Sequence, residues 1–164
     1  MTPEQARELG FAHSGNRGAS EEAIQAHYDV GNEFYRLWLD DTMTYSCAIW
    51  ESDDDTLRDA QARKVDYHIK QAKAHQAGTV LEIGCGWGTC LNRLVSQFGV
   101  DHAVGLTLSS AQANWISGLN LQNAEVRVEN WEDHAPKCHY DAIISIAAMA
   151  HFVKPELTSI DRIK

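Results

Sequence analysis

The sequence predicts an α/β fold in which a parallel sheet carries helices on both faces. Short apolar runs alternate with segments of helical periodicity between residues 79 and 146. The first run, Thr79–Ile83, passes directly into a glycine-rich turn, Gly84–Gly88, and then into an amphipathic segment. Strand, turn and helix in this order are typical of the units that build parallel sheets.

The N-terminal part of the chain is predicted to be helical. Residues 1–20 are polar and contain glycine, which predicts a mobile arm. Residues 21–76 predict a helical cap, which begins where Ser20 can cap a helix and acidic residues follow. Within this cap, residues 42–51 are expected to form a loop. A long helix is then expected from about Thr56 to Gln76.

Residues 77–164 are predicted to form the sheet and its covering helices. One helix follows the glycine turn, with an apolar face that runs from Cys90 to Phe98, and another is capped by Ser109 or Ser110. After Thr79–Ile83, the further strands are expected at about His102–Leu106, Glu125–Glu129 and Tyr140–Ile146.

The bulk properties exclude several classes of partner. The formal net charge of −9 disfavours nucleic acid or an anionic membrane as a purely electrostatic partner. No apolar run is long enough to span a bilayer, so stable membrane insertion is not expected. The four cysteines form no C-x-x-C pair, which predicts reduced thiols in a cytoplasmic protein. The eight histidines are scattered, so no metal site is expected.

The glycine spacing separates two kinds of adenosine-containing ligand. The dinucleotide fingerprint is G-x-G-x-x-G, whereas this turn has glycines at 84, 86 and 88, and Thr89 occupies the third dinucleotide position. Glu82 lies two residues before the first glycine. The pattern E-x-G-x-G-x-G is similar to motif I of methyltransferases that use S-adenosylmethionine.

Four segments in a fixed order carry a closer resemblance. They are His27–Tyr35, Thr42–Ala48, Gly84–Gly88 and Gly105–Gln112. Together they resemble the cyclopropane-fatty-acid and mycolic-acid cyclopropane synthase family over about residues 27–152. Related small-molecule N- and C-methyltransferases share the pattern. The resemblance implies a Rossmann-like class I methyltransferase fold.

The resemblance also implies a set of cofactor contacts for S-adenosylmethionine and its product S-adenosylhomocysteine. The glycines would line the cofactor backbone, and segments at the strand ends would surround the methionine, ribose and adenine groups. Two residues of this set also fit roles without a ligand. Trp131 would then be a core aromatic residue, and Gln112 would be a solvated residue on a helix. Asn130 occupies a position where the family often has glycine. The implied residues are Tyr45, Ser46, Gly84, Gly86, Gly88, Thr107, Leu108, Gln112, Asn130, Trp131, Glu132 and Ile146.

The implied catalytic centre departs from the family. Ala150 stands where the family has a glutamate that, in cyclopropane synthases, helps to hold a bicarbonate, so bicarbonate is not expected here. His151 is the candidate base, or an ordinary residue at a helix start. Cys47 would contribute backbone groups rather than a nucleophilic thiol. Tyr28 would line the acceptor pocket, or simply pack in the helical cap.

These features favour a methyltransferase that acts on a small-molecule or lipid-like acceptor in lipid or natural-product biosynthesis. A cyclopropane-fatty-acyl or branched-methyl synthase is the alternative enzyme, and a catalytically silent fragment that binds the methyl donor or a partner chain is the alternative outside enzymes. The family's sheet has seven strands, whereas this chain ends after the fourth. We therefore expect a fragment, or a strand edge covered by self-association or a partner chain; a genuine small protein with a minimal sheet is the alternative.

Overall fold

A computed structural model describes residues 31–151, in which four parallel strands form one sheet in the order β3-β2-β1-β4. The predicted arm, the helix start at Ser20 and Tyr28 lie outside the described residues, as do residues 152–164. The strands are β1 (Thr79–Ile83), β2 (His102–Thr107), β3 (Ala124–Val128) and β4 (Ala142–Ile144). The helices are α1 (Asn32–Arg36), α2 (Leu57–Gln71), α3 (Thr89–Ser96) and α4 (Ser110–Gly118), and two 3₁₀ turns lie at Ala74–Gln76 and Ala148–His151.

The sheet topology confirms the predicted α/β class. β1 lies between β2 and β4, with Ile83 opposite Leu106 and Val80 opposite Ala142. β3 pairs with the outer side of β2. Because all four strands are parallel, their carboxyl ends meet at one edge of the sheet, where a ligand of an open α/β fold normally binds.

Two predicted elements are shorter than the sequence pattern suggested. The long helix ends at Gln71 rather than Gln76, because Lys73 adopts a left-handed conformation (φ 54°) and a 3₁₀ turn follows it. The fourth strand spans Ala142–Ile144 rather than Tyr140–Ile146. Before this strand, the carboxylate of Asp141 accepts hydrogen bonds from the backbone N–H groups of Thr79, at 2.7 Å, and of Gly78. After it, Ala147 turns the chain with a φ of 69°.

The hydrophobic core joins α2 to the sheet. Val65 and Ile69 of α2 are almost completely buried, and they share one apolar cluster with β1 and α3. This cluster contains residues from both sides of residue 77, where the boundary between a cap and a core domain was predicted. The division into two domains remains a prediction. The fully buried members of this cluster are Ile69, Ala74, Val80, Leu91, Leu94 and Ala103.

Helix α1 packs directly on the glycine turn. Tyr35 and Trp87 are each 2% exposed, and their ring centroids lie 4.8 Å apart. The indole Nε1–H of Trp87 donates a hydrogen bond to Oδ1 of Asn32 at 2.8 Å. A buried aromatic pair with a satisfied indole N–H holds the turn between the strand and the helix in place.

Strand β4 lies at an edge of the sheet. Within residues 31–151 its ladder partner is β1, and its other side carries no strand. The side chain of Ile143 is 57% exposed on this strand. Among the described helices, none combines the length and apolar character needed to cross a membrane.

The start of α2 provides a prediction about stability. Thr56 forms a capping box, in which its hydroxyl accepts from the N–H of Asp59 and the carboxylate of Asp59 accepts from the N–H of Thr56. We expect Thr56→Ala to lower the free energy of unfolding by about 1 kcal/mol, whereas Thr56→Ser should stay close to wild type. Urea denaturation of both variants measures this difference, and equal losses would contradict the role of the hydroxyl.

Candidate functional site

One cavity lies at the carboxyl ends of β1, β2 and β3, and it collects residues from six segments of the chain. Every predicted cofactor residue except Gly88 lines it. The arrangement brings residues about 100 positions apart in the sequence to one concave site, which is the usual location of a ligand in this class of sheet. The lining residues are Met43–Ser46, Lys64, Val65, Glu82–Trp87, Thr89, Cys90, Leu106–Leu108, Gln112, Glu129–Glu132 and Ile146–Ala148.

The three glycines of the turn have different surroundings. A Cβ added to Gly86 would meet no atom within 4 Å, so the backbone there stands beside open space. Gly88 instead precedes α3 with a φ of 86°, and an added Cβ would lie 2.8 Å from Cγ1 of Ile116. Gly88 therefore allows α4 to pack against the start of α3. Gly88 does not line the cavity, because the side of its Cα where a Cβ would stand faces α4.

A hydrogen-bond network fixes the polar residues after β2. The hydroxyl of Thr107 donates to Oε1 of Gln112 at 2.7 Å, and the hydroxyl of Ser109 accepts from the N–H of Gln112 as the cap of α4. Gln112 is only 4% exposed, so it is not the solvated helix residue of the alternative interpretation. Its amide is oriented before any ligand arrives.

The segment after β3 forms another wall of the cavity. Trp131 is 40% exposed, so it is not a core aromatic, and the side chain of Asn130 accepts a hydrogen bond from the N–H of Glu132 at 3.1 Å. Glu129, predicted only as the end of a strand, also lines this wall. Its carboxylate is hydrogen-bonded to His134 at 3.0 Å, and the second ring nitrogen of His134 lies 3.0 Å from the hydroxyl of Tyr140.

The loop that carries Tyr45 and Ser46 is tied to the start of α3. The buried carboxylate of Asp40 accepts hydrogen bonds from the N–H groups of Thr42 and Thr44, at 3.1 and 3.0 Å. The hydroxyl of Thr44 donates to that of Thr89 at 3.0 Å, and Thr89 donates to the carbonyl of Thr42 at 2.7 Å. The loop therefore has a defined conformation next to the glycine turn.

Two ionisable side chains that line the cavity are buried. Glu82 is 3% exposed and Lys64 is 4% exposed. Burial raises the pKa of Glu82 to about 8, against the opposing influence of Cys90 and Lys64. Burial also lowers the pKa of Lys64, against the opposing influence of Glu82. Both shifts favour the neutral forms, since a charge removed from water is destabilised more than the nearby opposite charge compensates.

Of the three predicted catalytic residues, only Cys47 has a side chain in the part of the chain that the structure describes, so the predicted catalytic centre remains a prediction. The side chain of Cys47 is exposed and does not line the cavity. His151 ends the 3₁₀ turn Ala148–His151, and its side chain, like that of Ala150, lies outside what the structure describes. Across residues 31–151, no group of three or more His, Cys, Asp or Glu side chains is placed to hold a metal ion.

Sequence reasoning missed two polar residues on the inner face of α2. Gln61 and Lys64 are both buried, although the helix pattern drew attention only to apolar positions. They follow Leu57 by four and seven residues, which is the spacing of one helix face. Polar residues at these spacings on an otherwise apolar face are the signal that could have identified them.

Sequence comparisons place the chain among known proteins. A family described as mycolic acid cyclopropane synthetase matches residues 16–160. Cyclopropane mycolic acid synthase 1 from Mycobacterium tuberculosis is 42% identical over 134 residues, which cover 79% of this chain and 46% of that protein. Hydroxymycolate synthase MmaA4 from Mycobacterium tuberculosis is 41% identical over 136 residues, which cover 80% of this chain and 44% of that protein. The chain thus spans about half the length of the curated relatives it matches.

Structural comparisons give a consistent result. The crystal structure of mycolic acid cyclopropane synthase CmaA1 complexed with SAH and CTAB matches with a TM-score of 0.75 and 42% identity, over 80% of this chain and 47% of that chain. Coclaurine N-methyltransferase matches with a TM-score of 0.65 over 87% of this chain and 46% of that chain. Because the identity to this second structure is 22%, it supports a shared fold alone.

Proposed function

The chain belongs to the mycolic acid cyclopropane synthetase family, and from this premise we propose that it binds S-adenosylmethionine and transfers its methyl group to a small-molecule or lipid-like acceptor. The observation that carries the proposal is the cavity at the carboxyl ends of β1, β2 and β3. It gathers nearly the whole set of residues that the resemblance implies for the cofactor. The solved structure of CmaA1, 42% identical, contains S-adenosylhomocysteine.

The residues of the cavity fit this cofactor. The absence of a Cβ contact at Gly86 leaves space for the close approach of a ligand to the backbone. One carboxyl oxygen of Glu82, Oε2, is buried in the cavity wall and has no hydrogen-bond partner among the described residues. A buried polar atom without a partner in a ligand-sized cavity is a place where a ligand donor would be satisfied.

We assign the two ends of the cofactor to the two ends of the cavity. When bound, S-adenosylmethionine supplies a methyl group that its sulfonium cation already activates. Gly84, Gly86 and Ser46 would hold the methionine end, with the aromatic ring of Tyr45 near the cation. The ribose and adenine would lie against a set contributed by the ends of β2, β3 and β4, namely Thr107, Leu108, Gln112, Asn130, Trp131, Glu132 and Ile146.

Methyl transfer without ring closure is the activity that the catalytic positions favour. The protein contributes mainly alignment of the acceptor with the methyl group, which supplies much of the rate. Closing a cyclopropane ring needs in addition a base that removes a proton from a carbocation. Ala150 has no group that could act as such a base or hold one. His151 remains the proposed base for an acceptor that must lose a proton, with Tyr28 beside the acceptor and Cys47 contributing backbone groups.

Cyclopropanation is the second candidate, because the names of the relatives favour it. Cyclopropane mycolic acid synthases 1 and 3 are 42% and 41% identical to this chain, respectively. A third candidate is a protein that binds S-adenosylmethionine without catalysis. The three candidates differ in product and not in the cofactor.

Two measurements test the proposal. Calorimetry should show binding of S-adenosylhomocysteine, and Gln112→Ala should weaken it about tenfold through a lost polar contact. Gln122→Ala, at an exposed position after α4, should leave the affinity unchanged. Mass spectrometry of unsaturated acyl lipids and small amines incubated with S-adenosylmethionine should then show products that have gained one CH₂. Because a methylated and a cyclopropanated acyl chain have the same mass, proton NMR of the product distinguishes them, and we expect the signal of a new methyl group. An efficient cyclopropane product supports the second candidate, and binding without any product supports the third.

The location and the partners of the chain are part of the proposal. All four cysteines are free, and reduced thiols favour the cytoplasm. The exposed Ile143 on the edge strand β4 favours coverage by a second copy or a partner chain. Sedimentation across a concentration series would reveal self-association, and a monomer at every concentration would leave the partner chain as the candidate.

A further inference from the structure

The loop that carries Tyr45 and Ser46 adopts a conformation that its own residues do not favour. Met43 is 2% exposed and has a positive φ of 60°, although it is not glycine. A left-handed conformation of this kind costs about 1–2 kcal/mol and persists only where neighbouring contacts impose it. The contacts that impose it should therefore control whether the loop closes on the cavity.

Two side chains of helix α2 contact the loop next to Met43, through three hydrogen bonds. The side-chain amide of Gln61 donates hydrogen bonds to two backbone carbonyls of the loop, those of Thr44 at 3.1 Å and Ser46 at 2.8 Å. The ammonium of Lys64 donates to the hydroxyl of Ser46 at 2.6 Å. One face of the helix is therefore hydrogen-bonded to both ends of the segment Thr44–Ser46.

Gln61 and Lys64 differ in their position relative to the cavity. Lys64 lines it, together with Glu82, whereas Gln61 does not line it. Gln61 is 3% exposed, and its amide nitrogen is bonded to the backbone of the loop. Any effect of Gln61 on a ligand in the cavity must therefore be transmitted through the loop.

We propose that Gln61 is a positioning residue that sets the affinity for the methyl donor by holding Thr44–Ser46 closed on the cavity, with Lys64 as the second anchor. The proposal rests on the proposed function of the cavity. Its physical basis is preorganisation, since a loop that is already ordered loses less conformational freedom when the ligand binds. Without the two N–H donors of Gln61, the loop from the strained Met43 to Ser46 would open, and its ordering would oppose binding.

The test compares two substitutions of the same type on one helix. Gln61→Met removes both donors and keeps the length of the side chain, and Gln71→Met makes the same change at an exposed position at the end of α2. We expect Gln61→Met to weaken S-adenosylhomocysteine binding in calorimetry about five- to tenfold. Gln71→Met should bind like the wild type. Equal affinities for all three proteins would overturn the proposal.

Hydrogen exchange separates positioning from general destabilisation. The N–H of Thr44 is hydrogen-bonded to Asp40 within the loop, so its exchange rate reports loop opening. In Gln61→Met, exchange should accelerate in residues 42–47 and stay unchanged in β1 and β2. Acceleration throughout the protein would mean that Gln61 is merely structural, and would overturn the proposal.

A second variant keeps the test independent of one substitution. If Gln61→Met does not fold, Lys64→Met removes the other anchor, and it should also accelerate exchange in residues 42–47 and weaken binding. Unchanged exchange there would overturn the proposal. If the wild-type protein itself does not bind S-adenosylhomocysteine, the proposed function fails. The exchange comparison then still decides whether α2 holds the loop.

Discussion

Replacing Gly84 with alanine should destabilise the protein by about 2–5 kcal/mol and strongly weaken the binding of S-adenosylhomocysteine. An added Cβ would overlap Cβ of Ala148, in the turn that follows β4. Gly84 also has a φ of 79°, which costs a residue with a Cβ about 1–2 kcal/mol. The overlap adds about 1–3 kcal/mol, as in other overpacked sites. Because Gly84 lines the cavity, the displacement that relieves this overlap would distort the binding site.

Gly86→Ala is the matched control for this effect on stability. It also has a positive φ, 53°, but its added Cβ would meet no atom within 4 Å. We expect a loss of about 1–2 kcal/mol from the backbone conformation alone. Urea denaturation of both variants measures the difference in the free energy of unfolding. Equal losses would show that the contact between Gly84 and Ala148 does not constrain the turn.

The buried carboxyl group of Glu82 should make the protein less stable as the pH rises from about 5 to 8. Its pKa in the folded protein is raised to about 8 by burial, compared with an ordinary value of 4.5. Between these values the folded protein keeps a proton that the unfolded chain releases. The free energy of unfolding therefore falls with rising pH, by about 1.4 kcal/mol per pH unit from this group. The contribution is complete below the ordinary value and is lost as the pH passes about 8.

The variant Glu82→Gln isolates this contribution. It keeps the shape of the side chain and removes the titrating group, so its stability should fall less steeply between pH 5 and 8. Urea midpoints for both proteins at each pH unit provide the comparison, because the histidines and other groups contribute equally to both curves. Parallel curves would show that Glu82 is ionised in the folded protein and that Lys64 neutralises it fully.

Sequence patterns alone predicted the main-chain elements that form the site, namely the strands, the glycine turn and the helices. The glycine spacing at Gly84–Gly88 and the alternation of strands and helices are local patterns, and local patterns decide where a turn or a strand forms. The family resemblance implied a Rossmann-like fold, and the parallel pairing of β1 with β4 agrees with it. The positions of Tyr45, Thr107 and Gln112 around one cavity also followed from that resemblance, and the structure places them there. Their roles in binding remain proposals.

The tertiary structure decided which side chains support that site. Gly88 was expected in the cavity lining, but Ile116, 28 positions later in the chain, occupies the space beside it. The hydrogen bonds from Gln61 to the loop depend on how α2 is rotated over the sheet. The shift in the pKa of Glu82 depends on the burial of its carboxyl group. The sequence determines the local conformations because their causes lie within a few residues. Contacts and burial depend on residues far apart in the chain, so only the packed fold determines them.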